Sequence, residues 1–251
     1  MTRRSKAADA TPPAGAASLR ALLREHANAA KARQMHDFFQ AAPGGYGEGD
    51  RFLGITVPAI RTVARAGRDA SLSVAITLLR SEWHEERLLA LIMMVRMYER
   101  GDAEVRQRVF DEYLANIRHV DNWDLVDTSA PPIVGGHVAR DHISVLVRLA
   151  EAASPWHRRI AMLATLHHIR QGEFAPALQI AALLRQDPHP MLHKAVGWML
   201  KEIGERDRAV ALRFLDAHWR TMPRTTVRYA IEKFPAALRR RFMAHGAASQ
   251  R

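Results

Sequence analysis

The sequence predicts an all-α protein built from stacked helix pairs, and three observations support this prediction. From Leu19 onward, apolar residues recur at three- and four-residue spacing, and no convincing two-residue alternation is present. Glycine- and proline-containing segments interrupt this helical pattern repeatedly. Equivalent helical positions also return about every 35 residues, which is typical of an α-solenoid whose helix pairs pack only against their neighbours.

The chain order of these elements predicts one large helical domain after a short tail. Residues 1–17 are small, polar and proline-containing, so we expect a disordered tail there and a single domain over residues 18–251. The predicted helices cover residues 19–41, 57–69, 71–81, 84–100, 102–118, 122–130, 140–151, 155–171, 173–186, 190–204, 206–219, 222–233 and 235–244. The glycine-rich segment 43–50 and the pair Pro131-Pro132 are predicted to be breaks between helices.

The repeat is clearest in one column of positions that stand 36, 36, 35 and 34 residues apart. The column consists of Arg87, Trp123, Arg159, Lys194 and Arg228. The tetratricopeptide pattern is absent, so we predict HEAT-like helix pairs. Because equivalent positions of a solenoid line one face, the four basic residues predict a basic stripe on the concave surface, suited to the backbone of a nucleic acid duplex. The alternative is a row of solvated charges, or of salt bridges to neighbouring acids.

The charge balance also favours a polyanionic partner. Lys plus Arg is 37 against 26 for Asp plus Glu, a net charge of +11, and 32 of the 37 are Arg. Guanidinium groups bind phosphate in a bidentate manner, although a GC-rich genome would also raise the Arg share. The chain has no cysteine, which excludes disulfides, cysteine zinc sites and a thiol nucleophile. Its 13 histidines lack the spacing of metal ligands, so we expect neither a metal nor a cofactor.

The sequence predicts neither a membrane-spanning segment nor a secretory signal. The longest run without Asp, Glu, Lys or Arg is Thr128–Ala139, which is too short to cross a bilayer and contains two prolines. The basic residues near the N-terminus are not followed by an apolar stretch. We therefore expect a cytoplasmic, nucleoid-associated monomer.

One helical turn beyond the basic column, a carboxylate replaces the leucine found in two other repeats. The occupants of this second column are Leu91, Asp127, Leu163, Trp198 and Glu232. A carboxylate at a position that is apolar elsewhere needs a partner or a function. Trp123 shares a helix face with Asp127, and Arg159 stands between them and Trp198 in the stack, so the four predict a common site. The alternative is that Asp127 caps a helix or pairs with Arg159 and that the tryptophans are packing residues.

At these residues the sequence resembles the AlkD-like DNA alkylation repair glycosylases, a family of HEAT-like repeat proteins. The matching segments are FLGITVPAIR (52–61), EERLLALIMM (85–94), NWDLVDTSAPPIVG (122–135), SPWHRRIAM (154–162), HKAVGWMLKEIG (193–204) and MPRTTVRYAIEKF (222–234). The resemblance implies that Asp127 is the catalytic carboxylate, that Trp123 and Trp198 face the lesion, and that Arg159 contacts DNA. The glycine-rich insertion at residues 40–51 departs from the best-known members.

The resemblance implies an enzyme that hydrolyses the N-glycosidic bond of N3- or N7-alkylated purines in double-stranded DNA. Such bases are positively charged and leave readily, so a carboxylate that stabilises the oxocarbenium-like sugar and positions water is the main requirement. Arg87, Lys194 and Arg228 are expected to add contacts to the DNA backbone. The alternatives are a non-catalytic protein that binds damaged or branched DNA and a protein-interaction scaffold.

Overall fold

The computed structural model describes residues 15–139 and 142–244, and these residues fold almost entirely into helices. In chain order the α-helices are α1 (Ala16–Arg24), α2 (Ala29–Phe38), α3 (Val57–Ala66), α4 (Leu72–Leu79), α5 (His84–Arg100), α6 (Ala103–Ala115), α7 (Trp123–Ser129), α8 (Ser144–Ala150), α9 (Pro155–Ala164), α10 (Leu166–Arg170), α11 (Ala175–Leu184), α12 (Pro190–Arg206), α13 (Arg208–His218), α14 (Arg224–Ala230) and α15 (Ala236–Met243). Within the described residues, β pairing is limited to one isolated bridge between Arg51 and Trp83.

The predicted all-α class and the helical repeats are confirmed. The five positions of the basic column fall within the first five residues of α5, α7, α9, α12 and α14. Of the predicted tail, residues 1–14 lie outside the described residues, and α1 begins at Ala16. None of the helices within residues 15–139 and 142–244 is long and apolar enough to cross a membrane.

The helix predicted over residues 19–41 is wrong in its middle, where the chain forms two helices instead of one. Asn28 adopts an extended conformation, its side chain accepts the backbone N–H of Lys31, and its own N–H donates to the carbonyl of Leu53. Gly54 has a φ of +80° and comes so close that a Cβ there would lie 2.1 Å from the Asn28 carbonyl oxygen. This contact with a distant loop fixes the break before α2, which periodicity alone could not show.

The predicted break at Pro131-Pro132 is also wrong, because a helical segment of wider turns continues there. Residues Ala130–Gly135 form a π-helical turn that follows α7 directly. Neither proline has an N–H to donate to a carbonyl four residues earlier, so the backbone widens where an ordinary α-helix would lose two hydrogen bonds. Gly135 then packs so tightly that a Cβ would lie 2.1 Å from the carbonyl oxygen of Ala164.

The described residues divide into two compact units, one reaching to Arg96 and the other starting at Met97. The first turn of α5, His84–Arg87, is the polar centre of the first unit, and its four side chains are at most 5 % exposed. Glu85 accepts three consecutive backbone N–H groups from residues 53–55 at 2.9, 2.7 and 3.1 Å. Glu86 binds two arginines of α1 at 2.7 and 2.9 Å. Consecutive polar residues of one turn thus hold the loop before α3 and helix α1 in place.

Asp50, at the end of the glycine-rich loop, completes this polar centre. One carboxylate oxygen lies 2.6 Å from Nδ1 of His84, and the other accepts a hydrogen bond from Nη2 of Arg87 at 2.7 Å. Burial raises the pKa of Asp50, but the hydrogen bonds and charges of His84 and Arg87 outweigh it and lower the pKa to about 2.

The second unit is organised around α9, which carries Arg159. Residues Ile160–Ala164 of this helix are completely buried. Helix α9 packs against α7, α8, α12 and the π-helical turn, and α12 packs in turn against α14. Gly197 permits that last approach, because a Cβ there would lie 2.6 Å from the carbonyl oxygen of Thr226. The helices that carry Asp127, Arg159 and Trp198 are therefore fixed next to one another by close packing.

We predict that the first unit loses stability in acid through Asp50. Since the pKa is lowered from 3.8 to about 2 on folding, the stabilisation is fully present above pH 4 and is lost as the pH falls through 2. The size of this stabilisation is about 2 kcal/mol. Urea unfolding of wild type and Asp50→Asn at pH 5 and pH 2.5 measures it.

The stability difference between the two proteins should shrink at pH 2.5. Asp37→Asn removes an 88 % exposed carboxylate of the same unit and is the matched control. An Asp50→Asn difference that is equal at both pH values would contradict the prediction.

Candidate functional site

The central feature of the second unit is a bidentate ion pair between Asp127 on α7 and Arg159 on α9. Nε of Arg159 donates to Oδ1 of Asp127 at 2.9 Å, and Nη2 donates to Oδ2 at 2.8 Å. The Arg159 side chain is 6 % exposed, whereas that of Asp127 is 21 % exposed. The carboxylate therefore has its arginine partner on one side and keeps some access to solvent.

Local sequence explains how Asp127 reaches this position. Asn122 caps α7 by accepting the N–H of Trp123 at 2.8 Å, which fixes the start of the helix. Asp127 follows one turn later, three residues before the π-helical turn begins at Ala130. Because residue 131 is proline, it has no N–H for the Asp127 carbonyl, so the end of α7 is widened where the carboxylate is presented.

Besides its two hydrogen bonds to Asp127, Arg159 donates one to the backbone. Its Nη1 donates to the carbonyl of Met191 in the first turn of α12 at 2.6 Å. The preceding residue, Arg158, binds both carboxylate oxygens of Asp187 at 2.5 and 3.2 Å. Asp187 also accepts the N–H of His189 at 2.8 Å. Two consecutive arginines of α9 are thus hydrogen-bonded to the start of α12 or to the residues just before it. These bonds restrict the orientation of the Arg159 guanidinium, which faces Asp127.

The environment of Asp127 raises the pKa of its carboxyl despite the arginine. Burial raises the pKa of the Asp127 carboxyl, the charge and hydrogen bonds of Arg159 lower it, and the nearby Asp124 raises it again, with a net increase. A carboxylate with a raised pKa is a better proton acceptor than an ordinary aspartate. The arrangement is able to hold a negative charge next to a developing cation and to take a proton from water.

The two predicted tryptophans lie on helices adjacent to α9. Trp123 is the first residue of α7 and Trp198 lies on α12, and both are partly exposed. Trp198 Nε1 donates to Glu202 Oε1 at 3.0 Å, so its ring edge is tied to its own helix. The sequence did not single out Glu202, although its i, i+4 spacing from Trp198 predicts that the two side chains are neighbours on the helix. The Met191 carbonyl is a backbone group and has no such signal.

The basic column is corrected by the structure, because two of its four cations are not presented to solvent. Arg87 is 5 % exposed and binds Asp50 in the first unit. Arg159 is 5 % exposed and binds Asp127 in the second. In each case a neighbouring carboxylate compensates the guanidinium charge. Lys194 and Arg228, on α12 and α14, are exposed as expected.

The glycine-rich loop lies in the first unit and lines a cavity of about 670 Å³ there with α2 and Trp83. Gly44 and Gly49 have φ values of +82° and +83°, which explains the use of glycine at both. Arg51, just after the loop, stacks 4.4 Å from the centre of the Trp83 ring. Across the part of the chain that the structure describes, histidines and carboxylates form no group of three able to hold a metal ion.

Comparison with known proteins supports the resemblance seen in the sequence. The sequence model of a family described as DNA alkylation repair enzyme matches residues 19–234. Among solved structures, a predicted DNA alkylation repair enzyme from Enterococcus faecalis matches with a TM-score of 0.64 and 16 % identity, covering 84 % of this chain and 98 % of that one. At this identity the match shows a shared fold. A search of curated proteins finds no match. Because the family match spans most of the sequence, the chain belongs to the DNA alkylation repair enzyme family.

Proposed function

We propose that this protein is a DNA glycosylase that releases cationic N3- or N7-alkylated purines from double-stranded DNA, with Asp127 as its catalytic carboxylate. The observation that carries the proposal is the Asp127–Arg159 pair in a chain of this family. The carboxylate is bound in a bidentate manner by a buried guanidinium and remains 21 % exposed. A catalytic carboxylate has to reach the sugar, so the proposal requires this remaining access to solvent.

The proposed reaction needs little more than a positioned negative charge. The bond between C1′ and the purine nitrogen breaks, and its electron pair goes to the base, which thereby becomes neutral. The sugar is left as an oxocarbenium-like cation, which the Asp127 carboxylate stabilises electrostatically. A water oxygen then adds to C1′, and its proton passes to Asp127. The raised pKa of Asp127 makes the carboxylate suited to that last step.

Arg159 acts on this reaction chiefly by positioning Asp127. Three of its nitrogens already donate, two to Asp127 and one to the Met191 carbonyl. A guanidinium has five N–H groups, but this side chain is only 6 % exposed, so its role in the proposal is to position Asp127. Trp123 and Trp198 offer π faces for the cationic base or sugar, an interaction of about 0.5–2 kcal/mol each. Lys194 and Arg228 supply exposed positive charge for the DNA backbone.

A non-catalytic protein that binds damaged or branched DNA is the second candidate. The observation in its favour is the same ion pair, because Arg159 alone gives Asp127 a structural reason to be present. A protein of this kind would bind alkylated duplex and leave every glycosidic bond intact.

We predict that Asp127→Asn abolishes base release while DNA binding is kept. The amide retains the shape of the carboxylate and one acceptor for Arg159, but it has no charge for the sugar cation. We expect the single-turnover release of 7-methylguanine from methylated duplex to fall on the order of 100- to 1000-fold. Chromatography of the released base measures the rate, and fluorescence anisotropy measures the affinity.

Asp124→Asn is the matched control, because it removes a carboxylate from the same helix three residues away. It should retain base release. Full activity of Asp127→Asn would remove the carboxylate from the mechanism, and the absence of release by the wild type would favour the non-catalytic candidate.

We predict opposite shifts of the pH profile when the two groups that act on the Asp127 pKa are neutralised. Arg159 lowers this pKa and Asp124 raises it. Because Asp127 works as the carboxylate, activity rises with pH through its pKa. The pH of half-maximal single-turnover release should therefore rise in Arg159→Gln and fall in Asp124→Asn, relative to wild type.

If Arg159→Gln is too unstable to assay, the direction of the pH shift in Asp124→Asn still tests the prediction. An unchanged or increased pH of half-maximal release in Asp124→Asn would show that a group other than Asp127 causes the loss of activity at low pH.

A further inference from the structure

The C-terminal helices α13–α15 hold an excess of positive charge. Between residues 207 and 244 the chain has nine Lys and Arg residues and three Asp and Glu residues. All nine basic residues are exposed. The segment thus contributes +6 of the total net charge of +11. A concentration of cations on one short segment attracts polyanions by long-range electrostatics.

The few carboxylates of this segment are already occupied. Asp207 caps α13 by accepting the N–H of Val210 at 3.1 Å. Asp216 binds Arg241 at 2.5 Å, and Glu232 accepts from Lys201 at 3.2 Å. No acid of this segment is left to neutralise the remaining arginines.

Three arginines without a carboxylate partner surround one pocket between α14 and α15. Arg228, Arg239 and Arg240 line a cavity of about 380 Å³, and within residues 15–139 and 142–244 none of them forms an ion pair. Other arginines of the segment have structural partners, as Arg224 donates to the carbonyl of Met243 at 2.9 Å. Like charges repel one another, so a group of three unpaired guanidiniums is favourable mainly when an anion binds between them.

The rest of the pocket is apolar. Ile231 is 2 % exposed and lies beside Ala236 and Met243 in the lining. Glu232 also lines the pocket, but Lys201 and Lys233 lie 3.2 and 3.9 Å from its oxygens. Arginine forks beside an apolar patch match the two parts of a nucleotide backbone, an anionic phosphate and a deoxyribose with exposed carbon atoms.

We propose that the pocket between α14 and α15 is a phosphate-binding site for the DNA backbone, separate from the Asp127 site, in which Arg239 and Arg240 act together with Arg228. The proposal rests on the DNA partner of the proposed function. Arg239 and Arg240 lie outside the repeated column, so this contact is additional to the predicted basic stripe. Such a site would hold the duplex without reading its sequence and would strengthen binding to undamaged DNA as well as to lesions.

Salt dependence of binding to an unmodified 25-base-pair duplex tests the proposal. The probe is fluorescently labelled, and its Kd is measured by anisotropy from about 50 to 300 mM salt, the range in which phosphate contacts dominate affinity. For Arg239→Ala/Arg240→Ala we expect the steepness of the fall of log K, the association constant, with log salt to be smaller by about 2. The affinity at 100 mM salt should fall about 10-fold or more.

Arg241→Ala is the control, because it removes one positive charge from the same helix at the next position, half of what the double variant removes. Its guanidinium is compensated by Asp216 and does not line the pocket, so the slope should stay near that of wild type. Arg239→Lys/Arg240→Lys keeps the charge without the fork and should restore most of the slope.

Two results would overturn the proposal. One is a wild-type slope and affinity in Arg239→Ala/Arg240→Ala, with the protein shown to be folded by circular dichroism. The other is an equal loss in Arg241→Ala, which would indicate net charge without a site. If Arg239→Ala/Arg240→Ala binds the duplex like the wild type but no longer binds phosphatidylserine vesicles, the proposal is overturned and the pocket is assigned to a membrane surface. If the double variant has a reduced slope but the wild type releases no base, this phosphate site stands and the glycosylase proposal is rejected. If the wild type releases the base but the double variant has an unchanged slope, the glycosylase stands and this site is rejected.

Discussion

The ion pair between Asp127 and Arg159 is the interaction on which the proposed chemistry of the second unit depends. Two charges that leave water pay a large desolvation penalty, which only close geometry and further hydrogen bonds offset. Here the geometry is bidentate, and the Met191 carbonyl occupies a third nitrogen of the guanidinium. The cost falls mainly on Arg159, which is buried, while Asp127 retains part of its access to solvent. The proposed chemistry requires this residual exposure, because the carboxylate has to reach the sugar.

The polar centre of the first unit gives a useful contrast, because it uses the same pairing for another purpose. Asp50 is 5 % exposed and its oxygens face both His84 and Arg87. The partners lower its pKa to about 2, whereas the pKa of Asp127 is raised. Asp50 is therefore held ionised as a structural anion, whereas the surroundings of Asp127 shift its pKa in the opposite direction. Two carboxylate–arginine pairs in one chain thus differ in the property that matters for catalysis.

Sequence reasoning selected the residues of the candidate site but could not predict their geometry. The repeat spacing placed Asp127 and Arg159 in neighbouring helices, and their pairing was one of the two alternatives that the sequence left open. It could not show that Arg159 would be buried, because the group that completes its environment is the backbone carbonyl of Met191. Arg87 shares the column of Arg159, yet its partner Asp50 belongs to the glycine-rich insertion, for which no repeat exists. The break at Asn28 depends on a contact with Leu53 and Gly54, which helical periodicity does not report.

The central claim is that the charge of Asp127 is needed for excision and not for folding. The double variant Asp127→Asn/Arg159→Gln tests it most directly, because both charges of the pair are removed together and no buried ion is left without a partner. Removing one partner of a buried ion pair is strongly destabilising because it leaves an uncompensated charge, and the double variant avoids that cost. We expect the double variant to unfold in urea within about 1 kcal/mol of the wild type and to release no 7-methylguanine from methylated duplex under single-turnover conditions. A double variant that folds and excises the base at the wild-type rate would contradict the account.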